Sequence, residues 1–122
     1  MLWNMTSHKQ TIYDKRGDRV LYDLASRGRL FLREGPRRTC EDYKGIPIVD
    51  PPAYESLQGL PPVPPDGEIP ALIVSRMVAP FIVDLWPGRV FVPDTSRESV
   101  VKNHRGKVIG VRRLEEWSPE EE

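Results

Sequence analysis

Cysteine is almost missing: the 122 residues contain one, Cys40. No internal disulfide can form, and a four-cysteine zinc site is excluded. Histidine is scarce as well, with His8 and His104 alone. A structural zinc site would need carboxylate ligands, and no metal or other cofactor is indicated. Net charge is lacking, because 18 basic residues balance 18 acidic ones. Binding nucleic acid by bulk charge needs a basic excess, so that class is disfavoured. Long apolar runs are lacking too. The longest, from Met77 to Val83, is broken by Pro80 and falls far short of the roughly 20 residues of a membrane helix. Met1 to His8 shows no basic segment leading into an apolar one, so no signal peptide is read there. These absences point to a soluble protein in a reducing cytoplasm.

What is present suits one domain over residues 1–122. Ile12 and Tyr13, then Val20 to Leu24, have strand density, and Asp14-Lys-Arg-Gly17 lies between them. An acidic residue favours the start of such a loop, and a glycine at its last place supplies the positive φ a hairpin needs. Asn103-His-Arg-Gly106 repeats that chemistry inside a second hairpin from Ser99 to Leu114. Leu30 to Leu32 reads as a short strand, and Thr39 to Tyr43 turns at Gly45 into Ile46 to Val49. Pro47 cannot donate a ladder bond, which makes that last strand an edge. Between Pro51 and Pro70 seven of twenty residues are proline. Helix and central strand are both excluded there, which leaves an extended arm, a linker or a rigid surface loop. An acidic tail, 115–122, is expected to fray.

The stretch from Ala71 to Leu114 carries most of the apolar content. Ala71-Leu-Ile-Val74 is a buried strand, Arg76 to Trp86 a short helix stopped by Gly88, and Arg89 to Pro93 a second strand. Pro80 weakens that helix, and a shorter one beginning at Pro80 would leave Ser75 in a loop. The expected fold class is therefore α+β: a mainly antiparallel sheet of short strands, with a partly closed barrel as one way to close it, and one short helix near residues 76–86.

Several residues are candidates for chemistry. Ser75 ends a strand and begins the helix, where free N–H groups attract anions; the plainer reading is a helix cap. Asp94 and Thr95 follow the next strand, and parallel strands would bring Asp94 to the same sheet edge as Ser75. Asn4, Thr6 and His8 alternate, so in a strand they share a face. Ser75 as nucleophile, His8 as base and Asp94 as orienter sketch a hydrolase or transferase, without a nucleophile-elbow pattern to support it. Cys40 has Arg37 and Arg38 nearby, which would lower its pKa, but a plain thiol is the simpler reading. Arg27, Arg29, Arg33, Arg37 and Arg38 are interleaved with Tyr22, Phe31 and Tyr43. That pattern suits a single-stranded nucleic-acid surface; the plainer reading is a solvated outer face balanced by nearby acids.

The chain resembles a family of small uncharacterised proteins of bacteria, archaea and their phages, whose members begin Asn-Leu-Thr-Pro-His and end in an Ile-Val-Ser, Pro-Asp-Thr and Gly-Val pattern. The matching stretches here are Asn4-Met-Thr-Ser-His8, Ile73-Val-Ser75, Val78-Ala79, Pro93-Asp-Thr95, Ser99-Val-Val101 and Gly106 to Leu114. Ser7 stands where the family has proline, and Pro80 departs from its helix segment. The resemblance implies that the polar residues of both ends meet in space, and it implies no activity.

The reading reached from the sequence is a non-catalytic binding module for a small anionic ligand or a protein partner, phage or accessory-gene encoded, with Asn4, Thr6, His8, Ser75, Asp94 and Thr95 at its site. A homo-oligomer is compatible with it. The alternatives are the hydrolase or transferase and the arginine-faced RNA module.

Overall fold

In the computed structural model, which describes residues 1–65 and 67–119, strands dominate. They are β1 (Leu2–Asn4), β2 (Gln10–Tyr13), β3 (Val20–Leu24), β4 (Phe31–Glu34), β5 (Thr39–Tyr43), β6 (Ile46–Val49), β7 (Tyr54–Gln58), β8 (Ala71–Ile73), β9 (Val90–Pro93), β10 (Val100–Lys102), β11 (Val108–Val111) and β12 (Leu114–Trp117), with a single helix, α1 (Ala79–Ile82). The expected α+β class is corrected by this inventory. The fold is closer to all-β, in several small sheets, none of which closes into a barrel.

The helix is short for a physical reason. It was expected to run from residue 76 to 86, yet only four residues are α-helical. Pro80 sits in its first turn, where a missing N–H costs nothing. Upstream, the Ser75 carbonyl accepts from Val78 and Ala79, which makes a tight turn rather than a helix. Downstream, Leu85 and Trp86 both donate to the Ile82 carbonyl. Trp86 then turns inward and its indole N–H donates to the Pro70 carbonyl at 3.0 Å.

Two four-stranded sheets form the body. The first has the order β1-β8-β9-β12 and the second β10-β11-β2-β3. In the first sheet β1, β8 and β9 run parallel, and only β12 is antiparallel. Strands β8 and β9 therefore form a parallel crossover through α1, with Leu72 opposite Val90 and Ile73 opposite Phe91. A parallel strand covered on both faces needs a continuous apolar run, which Ala71 to Val74 supplies. Leu72, Val74, Val90 and Val92 pack with Val78, Ala79, Ile82 and Trp86 into one core, and Trp3 and Trp117 flank it. The tail expected to fray from residue 115 is a strand as far as Trp117, paired with β9 from Leu114 to Trp117. Its acids are placed by Arg76, which pairs with Glu115, and by Arg89, 2.9 Å from Glu116. Residues 120–122 of that expected tail lie outside the described residues.

Both hairpins read from the sequence are present: β2–β3, with Gly17 donating to the Asp14 carbonyl, and β10–β11, with Gly106 donating to Asn103. The chain then passes from the second sheet back to the first at Arg112 and Arg113, which Ser99 holds. This fully buried serine accepts from Arg112 and Arg113 N–H groups through its hydroxyl, at 3.3 and 3.1 Å.

The proline-rich stretch is corrected in part. Tyr54–Gln58 is a strand, paired antiparallel with β4. Pro51 and Pro52 precede it and Pro61 follows it, so proline bounds the strand without interrupting it. The pairings of β4 with β7 and of β5 with β6 are two halves of one long hairpin. The Gly35 N–H to the Ala53 carbonyl (2.7 Å) and the Asp50 N–H to the Arg38 carbonyl (3.0 Å) carry the pairing across the junction between them. Leu32 and Leu57 pack the near half on the core.

Two glycines separate backbone strain from crowding. Gly59 and Gly106 both have positive φ, at 88° and 79°. A Cβ at Gly106 meets open space, whereas one at Gly59 collides with the Arg29 carbonyl oxygen. Gly106→Ala is expected to cost about 1–2 kcal/mol, the price of a left-handed residue alone. Gly59→Ala is expected to cost clearly more, because backbone must also move. Equal losses of unfolding free energy in urea would contradict this account.

Candidate functional site

The N-terminal cluster is organised by Asn4, which is 1% exposed. Its amide nitrogen donates to the carbonyls of His8 (2.7 Å) and Leu24 (2.9 Å). Its amide oxygen accepts from the Thr6 N–H (3.0 Å) and the Thr6 hydroxyl (2.6 Å). All four hydrogen-bonding positions of the side chain are filled. Asn4 thus has none left for a ligand, and its role is to bend residues 5–8 away from β1. The expectation that Asn4, Thr6 and His8 share a strand face is corrected, because β1 ends at Asn4.

That bend sets one lip of an open cleft of about 630 Å³. Thr6 and His8 line it from the N-terminal loop, Ser75 from the end of β8, and Thr95 from the loop after β9. Four of the six sequence-derived site residues therefore share one cavity. Its walls are largely apolar: Met5 and Leu30, Val74 and Val78, Val92 and Val111, with Leu32 and Tyr54 from the near half of the long hairpin. Tyr54 stands edge-on to Phe81 at 5.9 Å, with its hydroxyl 3.6 Å from the Met77 sulfur.

Asp94 does not line the cleft. It lies at the same sheet edge as Ser75, as parallel strands require, but its carboxylate is spent elsewhere. One oxygen accepts from the Ser96 N–H at 3.0 Å, and the other lies 2.8 Å from the Arg113 guanidinium. The Ser96 backbone and hydroxyl, with help from Arg113, hold the Asp94 carboxyl below its ordinary pKa. Among the described residues no hydrogen bond links His8, Ser75 and Asp94, so the sketched triad is not assembled. Ser75 is not a side-chain cap either: the cap position is Val78, without a side-chain hydrogen bond. The N–H groups of Val78 and Ala79 are already taken by the Ser75 carbonyl.

The arginine face is also redistributed. Arg27 and Arg29 precede β4 instead of alternating along it. Arg27 stacks on Trp3 at 4.0 Å, and Arg29 lies 5.7 Å from the Phe31 ring. Arg37 and Arg38 pair with Glu34 and Asp50. The Cys40 sulfur donates to Asp50 at 3.1 Å, and that contact pushes the thiol pKa up, opposite to the lowering its arginine neighbours suggested. Sequence reasoning missed Arg29, Tyr54 and Met77 as cleft residues. Arg29 was visible only as one basic residue in a row, and Tyr54 and Met77 are brought in by long-range packing.

Two substitutions test the scaffold roles of Asn4 and Asp94. Asn4→Ala leaves two carbonyls and an N–H without their partner and is expected to cost about 3 kcal/mol or more in urea unfolding; a loss below about 0.5 kcal/mol would contradict its structural role. For Asp94 the sign follows from its lowered folded-state pKa. The stability it contributes is present above the ordinary carboxylate value of about 3.9 and is lost as pH falls through the folded-state value. The gap in urea midpoint between wild type and Asp94→Asn is therefore expected at pH 7 and should shrink by pH 3, and a gap independent of pH would contradict the pairing.

No protein-family model matches the chain, and no match was found among curated proteins or solved structures.

Proposed function

We propose that this protein is a non-catalytic binding module whose cleft takes an anionic group carried on an apolar body, on a small molecule or on a protein partner. The observation that carries this reading is the division of labour in the cleft. The floor is aliphatic, while Ser75, Thr95, His8 and Arg29 stand at its edges with side chains that make no hydrogen bond or ion pair among the described residues. Arg76 and Glu34 also line it, but each is matched by an opposite charge, Glu115 and Arg37. Arg29 is left as the unmatched cation. A volume of about 630 Å³ lies within the roughly 300–1,000 Å³ of small-ligand sites, where a few polar groups orient a mostly apolar contact. The carboxylate that would orient His8 in a hydrolase is instead held by Arg113 and Ser96, which favours binding over catalysis. The family resemblance falls on the same segments, so an accessory or phage-encoded role fits. Among the described residues no helix is long and apolar enough to cross a membrane.

The test uses octanoate and phenyl phosphate as probes and octanamide as the neutral control. Both anions are expected to shift the methyl resonances of Met5 and Met77, and octanamide to bind at least about tenfold more weakly, the effect of losing one charge-assisted hydrogen bond. Arg29→Ala should erase that preference. Anions that leave both methyl resonances unmoved at millimolar concentration would overturn the reading.

A further inference from the structure

Among the described residues the far half of the long hairpin, β5–β6, packs on no other element of its own chain to any substantial degree. Its apolar side chains face outward: Tyr43 is 62% exposed and Ile46 56% exposed, and Ile48 and Val49 are also uncovered. A lone two-stranded ribbon is marginal in water, so this one gains from being covered. Its edges do not favour strand addition. Pro47 has no N–H to donate, and β5 carries a register shift between Cys40 and Tyr43. The surface it offers is the side-chain face of its tip, where Tyr43 lies directly opposite Ile46. Next to that apolar pair in sequence are Glu41, Asp42 and Lys44, none in a salt bridge among the described residues, and the Lys44 ammonium lies 5.5 Å from the Tyr43 ring.

An acidic tip with two apolar side chains has a counterpart on the same molecule. The cleft has an apolar floor and one unmatched cation, Arg29, with His8 near it. We infer that the cleft is occupied by the hairpin tip of a second copy of this chain, with Tyr43 and Ile46 entering the floor and Glu41 and Asp42 meeting Arg29 and His8. This rests on the cleft being the binding site, and it names the partner that fills it. Charge complementarity selects the occupant: the tip, with Glu41 and Asp42 against Lys44, has an excess of one acid, and the cleft, where Arg76 and Glu34 are paired elsewhere, has an excess of one base, Arg29. Since each chain has one tip and one cleft, reciprocal exchange closes a twofold dimer with two identical contacts. The near half of the hairpin forms a wall of the cleft and the far half is the part that leaves, so one chain segment serves both sides of the contact.

Sedimentation velocity from micromolar to millimolar concentration tests the inference on the full chain. Wild type should show a monomer–dimer equilibrium. Tyr43→Ser with Ile46→Ser should weaken it by roughly thirtyfold, as removal of a central aromatic anchor does, without lowering the melting temperature, because both side chains are exposed. Arg29→Glu should weaken it as well, and adding Glu41→Lys and Asp42→Lys to that chain should restore it. A wild type that stays monomeric at millimolar concentration, or a tip variant that associates like wild type, would overturn the inference. Phenyl phosphate separates this from the reading it rests on. A monomeric wild type that binds the probe leaves the cleft reading standing and removes the partner; a tip variant that is monomeric and binds the probe at least as tightly as wild type supports both.

Discussion

The buried amide of Asn4 is the joint on which the structure turns. It is the last residue of a strand in the first sheet, and its side chain reaches the Leu24 carbonyl at the end of a strand in the second. The same side chain folds the next four residues into a tight loop by holding the Thr6 N–H and the His8 carbonyl. Its backbone carbonyl receives the Arg27 N–H, and the neighbouring Met5 carbonyl receives that of Leu30. One polar residue therefore fixes the relation of two sheets, the lip of the cleft and the start of the long hairpin. The arrangement is stable because each polar position of the amide is filled; a buried amide with one position empty would be a liability rather than a joint.

The second organising feature is how charge is distributed. The chain is neutral as a whole, and several of its surface charges are matched locally: Arg76 by Glu115, Arg89 by Glu116, Arg113 by Asp94, Arg38 by Asp50. Exposed pairs of this kind stabilise little, but they remove both members from recognition. Among the described residues many charges make no salt bridge, Arg16, Arg19, Arg105 and Lys107 in the two hairpin turns included; at the cleft the one left is Arg29, and at the tip of the long hairpin they are Glu41, Asp42 and Lys44. The proposed partnership pairs the charges at those two places.

Serine 99 shows the same economy at the other end of the chain. Its hydroxyl and carbonyl receive the Arg112 and Arg113 N–H groups where the strand order changes sheet. A hairpin read as ending near Leu114 thus continues into β12, which closes the first sheet and brings Trp117 onto the core.

Local chemistry determined the local structure. Asp14 with Gly17 and Asn103 with Gly106 set two hairpins, because turn geometry depends on residues adjacent in sequence. The run from Ala71 to Val74 announced a strand buried on both faces, and Pro80 announced a weak helix. The same reading named Thr6, His8, Ser75 and Thr95 as site residues, and these do line one cleft. It could not show that Asn4 and Asp94 are consumed by the scaffold, since their partners, Leu24 and Arg113, lie about twenty residues away in sequence. Nor could it show that Tyr54, inside a proline-rich stretch, belongs to a strand. Its partner strand lies across the whole length of the hairpin, and pairing at that separation is decided by packing on Leu32 and Leu57 rather than by propensity. Fold class failed for a related reason. The turn signals gave strands their ends, but which strands pair, and whether a proline-weakened turn counts as helix, is settled only when distant apolar faces compete for one core.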